Sequence, residues 1–195
     1  MTHELEFLFD FGSPTTYLAH KRLPAVLART PAKVTYVPIL LGGVFKATGN
    51  QSPAMVPAKG MYMNKDLERF ARRFGVTLNF NPYFPINTIS LMRGAVSYLD
   101  TPRFMDYVDA IFDAMWLAPR NLGDPEVLNA TLAQAGFDPA DFAARINDGA
   151  VKQKLIANTQ AAVERGTFGA PTFFVGEEMF FGQDRLDFVE EALAA

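Results

Sequence analysis

Apolar and charged positions alternate along residues 5 to 10, and two phenylalanines stand among them. A period of two over so short a run predicts a β-strand. The pattern breaks at FGSP, where Ser13 followed by Pro14 reads as a helix start. The serine hydroxyl can accept from the first free N–H groups, and proline is pre-set for the first helical position. That helix carries Tyr17, Leu18 and Leu23 and is expected to bend or end near Pro24. Residues 34 to 39 form a second strand, so the chain opens as a βαβ-like unit.

Residues 42 to 62 carry Gly42, Gly43, Gly49, Pro53, Pro57 and Gly60 and read as a long loop. Helical spacing then takes over. Leu67, Phe70, Ala71 and Phe74 fall at i, i+3, i+4 and i+7, and Phe104, Tyr107, Val108, Ile111, Phe112 and Met115 repeat the stripe. Asp124-Pro125 and Asp138-Pro139 each pair a cap with a first-turn proline, and a helix over 151–165 closes the block. Residues 172–175 and 179–181 read as a hairpin about a GEE turn, and a final helix begins at Asp184 with Leu186, Val189 and Leu193 inward. The order is βαβ, a helical block, then ββα: an α/β sheet with a helical insertion.

Composition narrows the chemistry. The 195 residues include no cysteine, which excludes disulfides, thiolate metal sites and a C-x-x-C redox pair. With two histidines, His3 and His20, no histidine-rich metal site is expected. Eighteen Lys+Arg against 21 Asp+Glu leave a net charge of -3, so nucleic acid and anionic membranes are not attracted globally. The N-terminus lacks a basic n-region and a long apolar stretch, and no run is long enough to span a bilayer. A soluble cytoplasmic protein is expected.

Four places carry candidate chemistry. Ser13 is either a plain cap or a group set at the positive end of a helix on the sheet's C-terminal edge, where a thiolate is stabilised. It lacks the G-x-S-x-G elbow of a hydrolase, and His20 lies two turns down the same helix. Ala170-Pro171 opens the hairpin; the proline is either structural or cis, exposing backbone for an extended peptide. In FGQDRLD, Asp184 and Asp187 look like a capping box; alternatively, the helix N-terminus receives a carboxylate and Asp184 meets an ammonium group. Residues 46–75 hold six cations against two acids, a local charge of +4, with Lys46 and Lys59 on the Gly/Pro stretch suited to an anionic ligand. Asn87, in YFPINT, and the single tryptophan Trp116 are pocket candidates, with a core position the simpler reading for Trp116.

FDFGSPTTYLA, YFPINT and FGAPTFFVGEEMFFGQDRLD together resemble 2-hydroxychromene-2-carboxylate isomerases, relatives of kappa-class glutathione transferases and DsbA-like proteins. The resemblance runs essentially the whole length. It implies a thioredoxin-like domain over 1–45 and 165–195, divided by a mainly helical insertion over 46–164. It implies glutathione as cofactor, with Ser13 on its sulfur, cis-Pro171, the Ala170 backbone on the cysteinyl unit, and Phe181, Gly182, Gln183 and Asp184 at the γ-glutamyl end. Lys46, Lys59 and Asn87 are then placed toward the substrate, a small aromatic carboxylate. The implied reaction interconverts 2-hydroxychromene-2-carboxylate and trans-o-hydroxybenzylidenepyruvate by reversible thiol addition. A kappa-like transferase that consumes glutathione is the alternative, and a non-catalytic thioredoxin-fold binding module is a third reading. Family analogy allows a homodimer, which no sequence feature requires.

Overall fold

A computed structural model describes residues 3–195, apart from the side chain of His3, which lies outside the described residues. Strand β1 (His3–Phe9) leads into helix α1 (Pro14–Leu27) and returns as β2 (Ala32–Pro38), parallel to β1. After the helical block, β3 (Thr172–Val175) pairs antiparallel with β1, and β4 (Glu178–Phe181) pairs antiparallel with β3. The sheet order is β2-β1-β3-β4. Parallel pairing through a helix, followed by an antiparallel hairpin, is the α/β order expected from the sequence.

The period of two in β1 is used on both faces. Leu5, Phe7 and Phe9 join Phe173, α1 and the last helix, α9 (Leu186–Ala194), in the larger apolar cluster. Leu8 and Phe174 point to a smaller cluster with Ile39, Val44 and Ala162. Phe7 stacks on Phe173 with centroids 4.9 Å apart, tying β1 to the hairpin at the far end of the chain. Burying four aromatic rings of this kind at the sheet centre stabilises it by several kcal/mol, about 1.5–3 for each large side chain removed from water.

The stretch expected to be a loop is mostly helical: α2 (Leu41–Thr48), a single 3₁₀ turn (Pro53–Met55), and α3 (Pro57–Phe74). Of its glycines, Gly49 ends α2 in the left-handed region at φ 72°, while Gly43 and Gly60 stand at close approaches. A Cβ at Gly43 would lie 3.2 Å from Cγ2 of Thr159, so its absence lets α2 seat against α8 (Gly149–Glu164). A Cβ at Gly60 would meet the Ala54 backbone at 3.5 Å, where α3 folds back on the 3₁₀ turn. Lys46 and Lys59 therefore stand on helices, not on a loop. Helix α1 also continues one turn beyond Pro24 to Leu27, with Pro24 on its exposed side.

The remaining helices are α4 (Ile89–Tyr98), α5 (Phe104–Phe112), α6 (Pro125–Gln134) and α7 (Pro139–Asn147). Asp124 and Asp138 cap α6 and α7 as their Asp-Pro pairs predict, each accepting from the N–H two residues on. A π-helical turn (Asp113–Leu117) ends α5 and turns Trp116 into the core. The larger apolar cluster runs without interruption from the sheet into α4 and α5. Helix α8 bridges the two parts, packing on α2 and β2 and also on α4 and α7.

Candidate active site

The β1–α1 connection is built on Asp10, which is fully buried. Its Oδ1 accepts from the Gly12 N–H at 2.9 Å; its Oδ2 accepts from the Leu41 N–H at 2.8 Å and the Thr88 hydroxyl at 3.2 Å. One carboxyl group thus ties the loop before Ser13 to the first residue of α2 and to the residue preceding α4. Burial pushes its pKa up, and the Gly12, Leu41 and Thr88 hydrogen bonds pull it back only in part.

Ser13 follows, extended and buried, and caps α1 by accepting from the Thr16 N–H at 3.1 Å. The cap is only one of its bonds. Its hydroxyl also donates to the Ala170 carbonyl at 3.0 Å and lies 2.8 Å from the Thr15 hydroxyl, which itself reaches the same carbonyl at 3.3 Å. The Ala170–Pro171 peptide is cis. Two distant motifs therefore meet at Ser13: a helix start with its dipole and free N–H groups, and the loop opening β3. The Ala170 N–H has no hydrogen-bond partner among the described residues.

The loop's outer wall is aromatic. The rings of Phe168 and Phe181 lie 4.6 Å apart, both part-exposed. A Cβ at Gly169 would come within 2.6 Å of the Phe181 ring, so glycine is what allows that ring to lie over the backbone. The Gly182 N–H donates to the Pro171 carbonyl at 3.0 Å, closing β4 onto the cis peptide. The Asn50 side chain donates to the Phe168 carbonyl at 2.8 Å, joining the segment after α2 to the same loop.

The structure thus brings Ser13, Ala170, Pro171 and Gly182 into one hydrogen-bonded cluster, with Phe181 packed over it. Gln183 and Asp184 line an adjacent cleft of about 290 Å³ with Arg22, Phe70, Arg73, Phe74 and Asp187. Asp184 and Asp187 do not form a capping box: no side chain caps the 3₁₀ turn (Gln183–Arg185) or α9, and the Asp184 carboxylate pairs with Arg185 at 2.6 Å. Lys46 and Lys59 are exposed, and Lys59 borders a shallow apolar groove of about 450 Å³ with Pro53, Ala58, Tyr62 and Met63. Asn87 is exposed and accepts from the Ile89 N–H at 3.0 Å; its neighbour Thr88 is the residue bound to Asp10.

Trp116 lines neither of these two clefts. It is fully buried, with its indole N–H on the Phe11 carbonyl at 2.8 Å and its ring near Phe80 and Phe84, so it supports the β1–α1 loop from beneath. The site residues that sequence reasoning missed are Asp10, Thr15, Asn50, Thr88, Arg22 and Arg73. Asp10 and Thr15 sit inside FDFGSPTT, where a polar residue at a strand end and a second hydroxyl beside a cap were available signals. The other four come close only through the fold. Among the described residues no group of histidine, aspartate and glutamate has the arrangement of a metal site, and no helix is long and apolar enough to cross a membrane.

With this geometry in hand, four likenesses carry weight. The family model of the DsbA-like thioredoxin domain matches residues 4–194. A 2-hydroxychromene-2-carboxylate isomerase of Pseudomonas putida is 34% identical over 197 residues, covering 97% of this chain and 93% of the relative. The kappa 1 glutathione S-transferase of Rattus norvegicus is more distant, 29% identical over 94% of this chain and 87% of its own. A solved 2-hydroxychromene-2-carboxylate isomerase superposes with a TM-score of 0.87 at 30% identity, over 98% of this chain and 94% of that one. A fold match over nearly every residue, joined to sequence identity above 30% along the full length, makes this chain a member of the DsbA-like thioredoxin-domain family and, within it, of the 2-hydroxychromene-2-carboxylate isomerases.

Proposed function

We propose that this protein is a glutathione-dependent isomerase interconverting 2-hydroxychromene-2-carboxylate and trans-o-hydroxybenzylidenepyruvate. The observation that carries the reading is the Ser13 hydroxyl held on the Ala170 carbonyl beside cis-Pro171, at the start of α1, in a chain with no sulfur nucleophile of its own. The residues present fit a glutathione thiol. A hydroxyl donor and a helix N-terminus suit a thiolate, and the unpartnered Ala170 N–H suits the carbonyl of an extended peptide.

Rotation about an intact C=C bond is prohibitively slow, and glutathione, when bound, supplies the thiol whose reversible addition lifts that restriction. The chain's own part is binding and electrostatics. Ser13 turns its proton toward the sulfur while the Thr16 N–H, already on its oxygen, polarises it. The Ala170 backbone orients the cysteinyl unit. Asp184 and Asp187 line the neighbouring cleft together with Arg22, Arg73 and buried Gln183, both signs of charge that a free amino-acid head group requires. Phe168 and Phe181 shield the site from water. Lys46 and Lys59 are assigned to the carboxylates, and the groove beside Lys59 sets a cation against an apolar wall, which suits an aromatic acid. A cytoplasmic location, a place in aromatic degradation and a homodimer come with the reading by family analogy.

Titration calorimetry tests the site: glutathione binds the wild type, Asp184→Ala weakens it, and Ser13→Ala leaves affinity but raises the bound thiol's pKa. No binding to the wild type would end the glutathione reading. A mass balance during turnover separates the isomerase from a conjugating transferase, since the isomerase returns all of its glutathione and stoichiometric consumption would exclude it.

A further inference from the structure

Three oxygen atoms meet at the cis-proline loop and share two protons. Ser13 Oγ, Thr15 Oγ1 and the Ala170 carbonyl form a triangle with sides of 2.8, 3.0 and 3.3 Å. The carbonyl is an acceptor only, so both hydroxyl protons are available to it or to the edge between the hydroxyls. Ser13 Oγ already accepts from the Thr16 N–H. Ala170 is buried, so its carbonyl cannot turn to water if a hydroxyl leaves it.

This matters as soon as Ser13 serves a sulfur. The serine has one proton. If that proton points at a bound thiolate, the Ala170 carbonyl loses its better donor. Thr15 is the only other hydroxyl within reach of that carbonyl among the described residues, and it occupies the second helical position, where its backbone is held by α1.

We propose that Thr15 is a positioning residue for the thiol site: its hydroxyl takes over the Ala170 carbonyl, or donates to Ser13 Oγ, when Ser13 turns its proton to the bound sulfur. In either arrangement both protons remain bonded; in the first the Ala170 carbonyl keeps a hydroxyl donor, and in the second it gives that donor up to the bond on Ser13 Oγ. With Thr15 on Ser13 Oγ the hydroxyls form a chain ending at sulfur, and each bond polarises the next. The inference rests on the glutathione reading given above. It adds that one hydroxyl is not enough at this position and that the second must be able to donate.

The test compares Thr15→Val, which keeps the shape and removes the donor, with Thr15→Ser, which keeps the donor. Glutathione is titrated with pH on each saturated protein, following thiolate ultraviolet difference absorbance, and the pH profile of turnover is recorded alongside. The expected result is a bound-thiol pKa about one unit higher in Thr15→Val, a tenfold loss of thiolate at fixed pH. Thr15→Ser should stay near the wild type, and affinity for the protonated thiol should be unchanged in both. A merely structural role for Thr15 would move the unfolding midpoint and not the titration. If the wild type binds glutathione and Thr15→Val titrates like it, or Thr15→Ser titrates like Thr15→Val, the proposal is overturned while the glutathione reading stands. If the wild type binds no glutathione, both fall. Should Thr15→Val not fold, Thr15→Ala is measured in its place against the same two outcomes.

Discussion

Replacing Asp10 by asparagine is the sharpest test of how the site is held. The side chain keeps its size, so the change is confined to hydrogen bonding. In the wild type Oδ1 serves the Gly12 N–H, and Oδ2 serves the Leu41 N–H and the Thr88 hydroxyl. An asparagine has one oxygen. Placed at the Oδ2 position it keeps Leu41 and Thr88 and aims its NH₂ at the Gly12 N–H; flipped, it keeps Gly12 and faces the Leu41 N–H. Either way a backbone donor beside a buried group is left without an acceptor. An orphaned buried donor costs about 1–3 kcal/mol.

The pH dependence fixes the sign. Asp10 has its folded pKa raised, burial being the larger cause and the three donors opposing it. A raised folded pKa means that the group's contribution is fully present below the ordinary carboxylate value and is lost as pH rises through the folded one. Asparagine does not titrate. The stability gap between wild type and Asp10→Asn is therefore expected to be widest in acid and to narrow as pH rises. Urea unfolding of both proteins from about pH 3 to about pH 8 measures it. A gap that widens with pH would show that the donors outweigh burial, and no gap at any pH would refute the clamp itself.

Three further outcomes follow from single observations. Thr16 is fully buried and its hydroxyl has no partner, so Thr16→Val should be between neutral and about 1 kcal/mol more stable by urea unfolding, since an isosteric methyl removes an unsatisfied polar group. Trp116→Phe removes the bond to the Phe11 carbonyl and leaves a gap in the core; a loss of about 2–4 kcal/mol is expected in the same assay. Asp109 is held down to about 2, chiefly by its hydrogen bond from His20, so its contribution is present above the ordinary value of 3.8 and lost as pH falls through about 2. Asp109→Asn should make the acid-unfolding limb shallower across that window.

What the sequence showed and what it hid divide along contact range. The β1–α1 start, the hairpin after Pro171 and the Asp-Pro caps are written in neighbouring residues, and each formed as the local pattern predicts. Helices α2 and α3 look like loop in the sequence because Gly42, Gly43 and Gly60 look like breakers when only propensity is weighed. For Gly43 the reason lies elsewhere in the chain, in Thr159, a residue on another helix. Asp10 was equally hidden. Within its strand it is only the next polar position, and its role appears when Leu41 and Thr88, 31 and 78 residues away, close on it. Trp116 shows the opposite case, since a core position is the simpler reading for a lone tryptophan and the structure holds it there.

The surroundings of Ser13 also decide between two chemistries for its hydroxyl. A serine nucleophile needs a base to take its proton. The described neighbours of Ser13 Oγ are a hydroxyl, a carbonyl oxygen and a backbone N–H, none of which is one. His20, on the same helix, turns its ring to Asp109 at 2.9 Å and to the Tyr36 hydroxyl at 3.2 Å. Asp10, the buried acid of the loop, has both oxygens engaged by Gly12, Leu41 and Thr88. The Thr16 N–H donates into Ser13 Oγ, which lowers its basicity as a nucleophile and strengthens it as a donor. Ser13 is therefore set up to give a hydrogen bond to an anion rather than to attack a substrate. In a chain without cysteine, that arrangement suits the glutathione thiol of the proposed function, held as thiolate.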